Sequence, residues 1–336
     1  MSTNQLTYGW WNPCSPTGED SEREPSLVGL VLAAGQGKRM KSDLVKVLHP
    51  LRGRPLVTHV VDALEQAGVQ RLIVVVGVQA DLVRERLAAS VQAEVPLEFV
   101  VQEQPLGTGH AVLAAEALLA GQSGDLLVVC GDTPLLTAAD LLALVEVRRR
   151  EKAVASFLTT FPPDPTGYGR VVRDEAGAVT RVVEESDCNS CERQIGEVNA
   201  GTYCFSLPRL WQVLHRVGRG NAQGEYYLTD AIAGLLHEGD RVVTLEVPWE
   251  RVVGINDRAQ LVAVEEGLRR RLLVEMMREG VTVMDPASVF VGEQVRAERD
   301  VVLEAGSVLE GEIHLAAGCR VGPFTLLRQV PRARKV

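Results

Sequence analysis

From Val291 to Thr325 the chain repeats itself every six residues. Val291, Ala297, Leu303, Leu309, Leu315 and Val321 stand six apart, and Val295, Val301, Ser307, Ile313, Cys319 and Thr325 follow each by four. A hexapeptide period is the signature of a parallel β-helix, whose short strands bury an apolar side only by stacking coil on coil. Six hexapeptides make only about two coils, fewer than the roughly three repeats that are stable alone. The stub, residues 281–330, must therefore pack on something, either the rest of the chain or sister subunits.

The first half follows another pattern. Residues 27–34 (LVGLVLAA) read as a buried strand, and strand-like runs recur at 72–76, 97–101 and 126–130. Helix-like stretches lie between them at 55–66, 80–89 and 109–119. This alternation predicts right-handed βαβ units, hence a Rossmann-like α/β domain with a mixed, mostly parallel sheet. Ligands of such sheets bind beyond the carboxyl ends of the strands. Residues 151–255 are less regular and read as an insertion that walls off a pocket, with strands at 156–160, 170–172 and 198–205. Leu261, Val264, Leu268, Leu272 and Met276 recur at helical spacing with charged neighbours, which predicts an exposed connecting helix over 257–280. The domains expected are thus a disordered extension at 1–26, an α/β domain at 27–256, that helix, and the stub.

A formal charge of -9 argues against a nucleic-acid or anionic-membrane partner, which would need a basic excess. No run of 18 apolar residues and no secretory signal is present, so a cytoplasmic chain is expected. Cys188 and Cys191 form a lone CxxC with no second pair or nearby histidine, and read as two loop cysteines.

Residues 32–40 (LAAGQGKRM) run from a strand into a glycine-rich turn with Lys38 and Arg39 behind it. Glycines let the backbone approach a phosphate, and the two cations can neutralise one. The spacing is neither Walker A nor GxGxxG. Lys46 lies just past the turn between apolar residues, where a phosphate role fits. Asp132, just after the run 127–130, suits Mg²⁺, which takes one or two carboxylates plus substrate phosphates. Turn capping by Asp132 is equally open on this pattern. His49 and His110 have no Ser and Asp partner arrangement and read as structural.

These pieces resemble the sugar-nucleotide pyrophosphorylases. The closest resemblance is to the uridylyltransferase half of the bifunctional N-acetylglucosamine-1-phosphate uridylyltransferase/glucosamine-1-phosphate acetyltransferases. It is carried by residues 32–40, 46–49, 102–111, 131–134, 164–170, 183–184, 197–201, 221–230 and 253–258, in order along the chain. The segments 164–170 (DPTGYGR) and 221–230 (NAQGEYYLTD) are the most specific.

The resemblance implies Mg²⁺-dependent uridylyl transfer from UTP to N-acetylglucosamine 1-phosphate, giving pyrophosphate and UDP-N-acetylglucosamine. It further implies a left-handed β-helix. Leu32, Ala33 and Gly35 by their backbone, and Gln102 by its side chain, would hold the uracil, with Gly107 and Thr108 beside it. Arg39 and Lys46 would bind the triphosphate and act in catalysis, and Asp132 and Asn256 would hold Mg²⁺. Gly169, Glu184, Asn199 and Thr108 would line the sugar. Lys38 stands where the family usually has Thr, and Val45 where it has Pro before the lysine. In that family a long β-helix carries the acetyltransferase site and makes trimers. About two coils predict no acetyl transfer and leave a homotrimer open. Two other readings remain: a related enzyme using another sugar or nucleotide, and a catalytically silent UDP-sugar-binding subunit.

Overall fold

A computed structural model describes residues 26–35, 37–91 and 94–329. The extension expected at 1–26, apart from Ser26, and the basic end of the chain lie outside these residues.

Seven strands form the main path of one sheet: β1 (Leu27–Ala33), β2 (Arg71–Val76), β3 (Leu97–Val101), β4 (Asp125–Cys130), β5 (Ala155–Thr160), β8 (Val198–Ser206) and β9 (Val242–Glu246). Their order is β9-β5-β8-β4-β1-β2-β3, with β6 (Arg170–Arg173) and β7 (Val179–Val183) appended beside β8. β8 runs antiparallel to its neighbours β4 and β5, whereas β1 to β4 are parallel, so the sheet is mixed and mostly parallel.

The period-two alternation of the strands explains why their sequences are apolar throughout. Val31, Leu72, Val74, Leu127 and Val129 enter the core on one face, while Val28, Leu30, Ile73, Leu126 and Val128 enter that on the other. Helix α1 (Leu56–Gln66) covers the first face, and α3 (Thr108–Ala114), α5 (Leu207–Leu214) and α6 (Leu228–His237) cover the second. A strand buried on both sides has no polar face to alternate with. Two further helices, α2 (Ala80–Ser90) and α4 (Ala138–Arg150), complete the layers, and Thr137 with Asp140 forms a capping box at the start of α4.

The region read as an insertion is only partly one. β5, β8 and β9 extend the sheet itself, and the short pair β6–β7 with its connections projects from it. β7 and β9 escaped the sequence reading because their runs carry Thr, Arg and Glu and are bounded by charged residues.

The hexapeptide segment coils as its period requires. Phe290–Val291 pairs with Val308–Leu309, and Val295–Ala297 with Ile313–Leu315, each eighteen residues on and parallel. Three hexapeptides therefore make one coil. Thr282–Val283 pairs with Val302–Leu303 instead, a spacing of twenty, so the first coil carries two extra residues before Phe290. That offset hid the opening strand from a six-residue count.

Helix α7 (Arg258–Arg278) does more than connect. Leu261, Val264 and Leu268 pack on Leu51, Leu56, Leu135 and Ile255 of the α/β domain, while Leu273 and Met276 close the end of the coil against Val281, Val289 and Val301. The stub is also pinned by Arg52, whose guanidinium donates to the Val291 carbonyl at 2.8 Å and lies 3.2 Å from the Glu293 carboxylate. The Arg52 side chain is 4% exposed, so little water replaces those contacts if it is removed. Arg52→Ala is expected to lower stability by about 2 kcal/mol and to speed proteolysis after residue 280, read by urea unfolding and limited digestion.

Candidate active site

β1 leads to β2 and β3 on one side, whereas β4 lies on the other, so the loops after Ala33 and Cys130 diverge. Such a switch point leaves a crevice beyond the strand ends. Gly131 donates its N–H to the Leu32 carbonyl at 3.0 Å and holds the two loops together at the crevice floor. A cavity of about 300 Å³ opens there, lined among others by Leu32, Gly35, Lys46, Gln102, Gly107, Thr108 and Asp132. Ala33 turns its side chain into the core, and Ala34 lines the cavity beside it.

Three chemistry-bearing side chains converge at one end. The Lys46 ammonium contacts the Asp132 carboxylate and lies 3.2 Å from Asn256 Oδ1. Asn256 comes from 124 residues beyond Asp132, yet Ile255 donates to the Asp132 carbonyl at 2.9 Å and fixes that loop. Arg251 pairs with Asp140 at 2.7 Å, and Asp257 caps α7, so both flanks of the loop are tied. Lys46 approaches because residue 37 is glycine. Gly37 has φ +62°, and a Cβ there would sit 2.5 Å from the Lys46 Cβ. Whatever the glycine turn offers a phosphate, Gly37 itself admits the lysine stem.

Asp132 and Asn256 contact the same ammonium, so a carboxylate and an amide oxygen lie within reach of one cation. That donor set fits Mg²⁺, which keeps water and substrate phosphate in its remaining positions. No cluster of three or more His, Cys, Asp or Glu able to hold a metal exists among the described residues, the CxxC included. Cys188 is buried and Cys191 exposed, both unpaired thiols.

Gln102, which also lines the cavity, is buried; its Nε2 donates to the Gly107 carbonyl at 3.0 Å and lies 3.0 Å from His110 Nδ1. Gly107 has φ +104°, and a Cβ there would lie 2.6 Å from the Tyr226 carbonyl. The turn 106–109 is stitched to the segment 221–230 by Tyr226 N to Leu106 O at 2.8 Å and Gly109 N to Tyr226 O at 2.7 Å. Thr108 Oγ1 accepts from Leu228 N at 3.0 Å.

Gly169, Glu184 and Asn199 form a third group. Asn199 N donates to the Gly169 carbonyl at 2.8 Å, and a Cβ on Gly169 would lie 3.4 Å from Glu184 Oε2. Glu184 lines a separate cavity of about 480 Å³ with Asp187, Asn221 and Asp230. Burial pushes the Glu184 carboxyl above the ordinary carboxylate range, opposed by the Thr229 hydroxyl that donates to it at 2.9 Å. Asn199 donates to the Tyr203 hydroxyl at 2.6 Å, which orients its amide. Cys130 feels both groups: burial pushes its thiol up to about 12, with Asp132 and Glu184 adding to the rise and Lys46 opposing it.

Arg39 stands apart. It is exposed and makes no hydrogen bond or ion pair with another described residue. It nevertheless acts electrostatically on Tyr168, whose hydroxyl is pushed up first by burial and then by Asp132, with Arg39 opposing. Tyr168 is thus within electrostatic reach of both, and is braced edge-on by Trp249 at 5.4 Å. Neither aromatic was singled out from sequence. Tyr168 belongs to the 164–170 segment, whereas Trp249 carries no local signal.

Residues 29–187 match the MobA-like NTP transferase domain. The chain is 48% identical over 300 residues to the bifunctional protein GlmU of Exiguobacterium sp., covering 89% of this chain and 65% of that protein. It is 44% identical over 308 residues to the bifunctional protein GlmU of Brevibacillus brevis, covering 91% and 66%. The chain thus spans about 65% of the length of the curated relatives it matches. No helix among the described residues is long and apolar enough to cross a membrane. The chain thus carries an NTP transferase domain at its N-terminal side and is similar along about nine-tenths of its length to the bifunctional GlmU proteins.

Proposed function

We propose that the chain transfers the uridylyl group of UTP to N-acetylglucosamine 1-phosphate, giving UDP-N-acetylglucosamine and pyrophosphate, with Mg²⁺. The observation that carries the reading is the convergence of Lys46, Asp132 and Asn256 at the switch-point crevice, with Gln102 lining the same cavity as Lys46 and Asp132. A phosphate oxygen of the sugar attacks the α-phosphorus, and the bond from that phosphorus to the β-phosphate oxygen breaks. The attacking oxygen is already anionic at neutral pH, so no general base is needed. What the transfer needs is in-line positioning and neutralisation of charge.

Lys46 and Arg39 offset the charge that spreads onto the leaving pyrophosphate. Asp132 and Asn256 would hold Mg²⁺, which would supply further charge neutralisation at the phosphates. Arg39 is exposed and unpaired with any described residue, so it meets the triphosphate without first breaking a contact. Gly169, Glu184 and Asn199 line the sugar.

The test is pyrophosphate release from a panel of nucleoside triphosphates and sugar 1-phosphates, with and without a chelator. Turnover with UTP and N-acetylglucosamine 1-phosphate that the chelator abolishes is expected. Tight UDP-sugar binding without turnover would overturn the catalytic reading, and faster turnover of another pair would overturn the substrate assignment.

A pH dependence follows from Glu184. As an ionised acceptor of sugar hydroxyls it must be deprotonated, and burial raises its pKa above the ordinary carboxylate value. Acidification therefore protonates it sooner than an exposed carboxylate. KM for the sugar phosphate is expected to rise as pH falls, beginning above the range where ordinary carboxylates titrate. Thr229→Val removes the hydroxyl that favours the ionised form and should move the onset to higher pH.

A further inference from the structure

We propose that His110 is a positioning residue that sets which nucleobase the cavity accepts, by locking the orientation of the Gln102 amide. This rests on the nucleotide reading above.

Gln102 is 7% exposed and lines the cavity. Its Nε2 lies 3.0 Å from the Gly107 carbonyl oxygen and 3.0 Å from His110 Nδ1. A carbonyl oxygen only accepts, so the amide end facing it is the NH₂ group. The same NH₂ faces Nδ1, which must then accept, and the imidazole proton belongs on Nε2. Both N–H groups of Gln102 are thereby engaged. Oε1 has no hydrogen-bond partner among the described residues and is the amide atom left for a ligand.

Turning the amide over would set Oε1 against the Gly107 carbonyl oxygen, which cannot donate, and would require the His110 proton to move from Nε2 to Nδ1. His110 thus adds a change of tautomer to the penalty for presenting a donor to the cavity. An acceptor that cannot become a donor matches a base whose ring nitrogen carries hydrogen, as uracil and thymine do at N3. Cytosine offers a lone pair at that position and meets acceptor with acceptor. A site built around one buried polar group discriminates by leaving that group unpaired with the wrong ligand.

The histidine is itself held. Its ring stacks on Tyr226 with centroids 6.1 Å apart, and Arg219 lies 5.7 Å from the other aromatic centroid. Tyr226 in turn is hydrogen-bonded through its backbone to Leu106 and Gly109. The segment 221–230 therefore reaches the base end of the cavity through His110.

The experiment compares wild type with His110→Phe, which keeps a ring for Tyr226 but lacks the acceptor, and with His110→Asn, whose Oδ1 can stand where Nδ1 was. Kinetics with UTP and CTP, and calorimetric binding of UDP and CDP, are measured on each. In the Phe variant KM for UTP and the Kd for UDP are expected to rise roughly fivefold to tenfold, about what one hydrogen bond provides. Its kcat should change less than twofold, the preference for uridine over cytidine nucleotides should fall by a similar factor, and the Asn variant should recover both. An unchanged preference in His110→Phe, or no recovery in a folded His110→Asn, overturns the proposal. Wild type that binds UDP no better than CDP overturns the uridine reading itself.

Discussion

Lys46→Met is expected to lower kcat a hundred- to a thousandfold while the protein stays folded. The ammonium reaches the Asp132 carboxylate and the Asn256 carbonyl, and Gly37 lies against its stem, so its position is set from three sides. Loss of one well-placed charge donor typically removes about 2.7–4 kcal/mol of transition-state stabilisation, which is that range in rate. Methionine keeps a comparable stem, so packing against Gly37 is preserved. The Lys46 and Asp132 side chains are only 14% and 16% exposed, yet they open on the crevice. Water can therefore reach the orphaned carboxylate, and the stability cost should stay near 1 kcal/mol. Single-turnover rates under saturating substrate measure the first effect and thermal unfolding the second. Equal single-turnover rates for the two proteins would remove Lys46 from the chemistry.

Asp132→Asn should have the second largest effect, with a different signature. The amide keeps the shape but not the charge, and a hard cation held by one carboxylate and one amide oxygen depends on that charge. The Mg²⁺ concentration for half-maximal rate is expected to rise at least about tenfold, and kcat/KM to fall about a hundredfold at fixed metal. Titrating Mn²⁺ and following its paramagnetic resonance signal reads the loss of affinity without relying on turnover. A variant whose metal dependence matches wild type would make Asp132 a turn-capping residue, the other reading its sequence pattern allowed.

Much of the architecture was legible along the chain. The strands buried on both faces showed as apolar runs at 27–34, 72–76 and 126–130, and the β-helix as a six-residue period. Both signals are local, because side-chain direction repeats with the backbone. β7 and β9 were not legible, being partly exposed strands with charged residues among them. The two-residue offset in the first coil was hidden for a similar reason: a period is visible only while it is kept.

The site divides in the same way. The glycine turn, Lys46 and Asp132 lie at the ends of readable strands, so their neighbourhood follows from the rule that parallel sheets bind ligands at their carboxyl edge. Sequence by itself determined which residue types were available there and which family the ordered motifs resemble. Only the tertiary structure brought Asn256 onto the lysine that also meets Asp132, set Tyr168 within electrostatic reach of Arg39 and Asp132, and joined Gln102 to His110. It also made α7 close the end of the coil. Those pairings span up to 210 residues in one case and eight in another, so separation is not the obstacle. Each depends on where two loops leave a packed sheet, and that is decided by the packing of the whole domain rather than by any stretch of the chain.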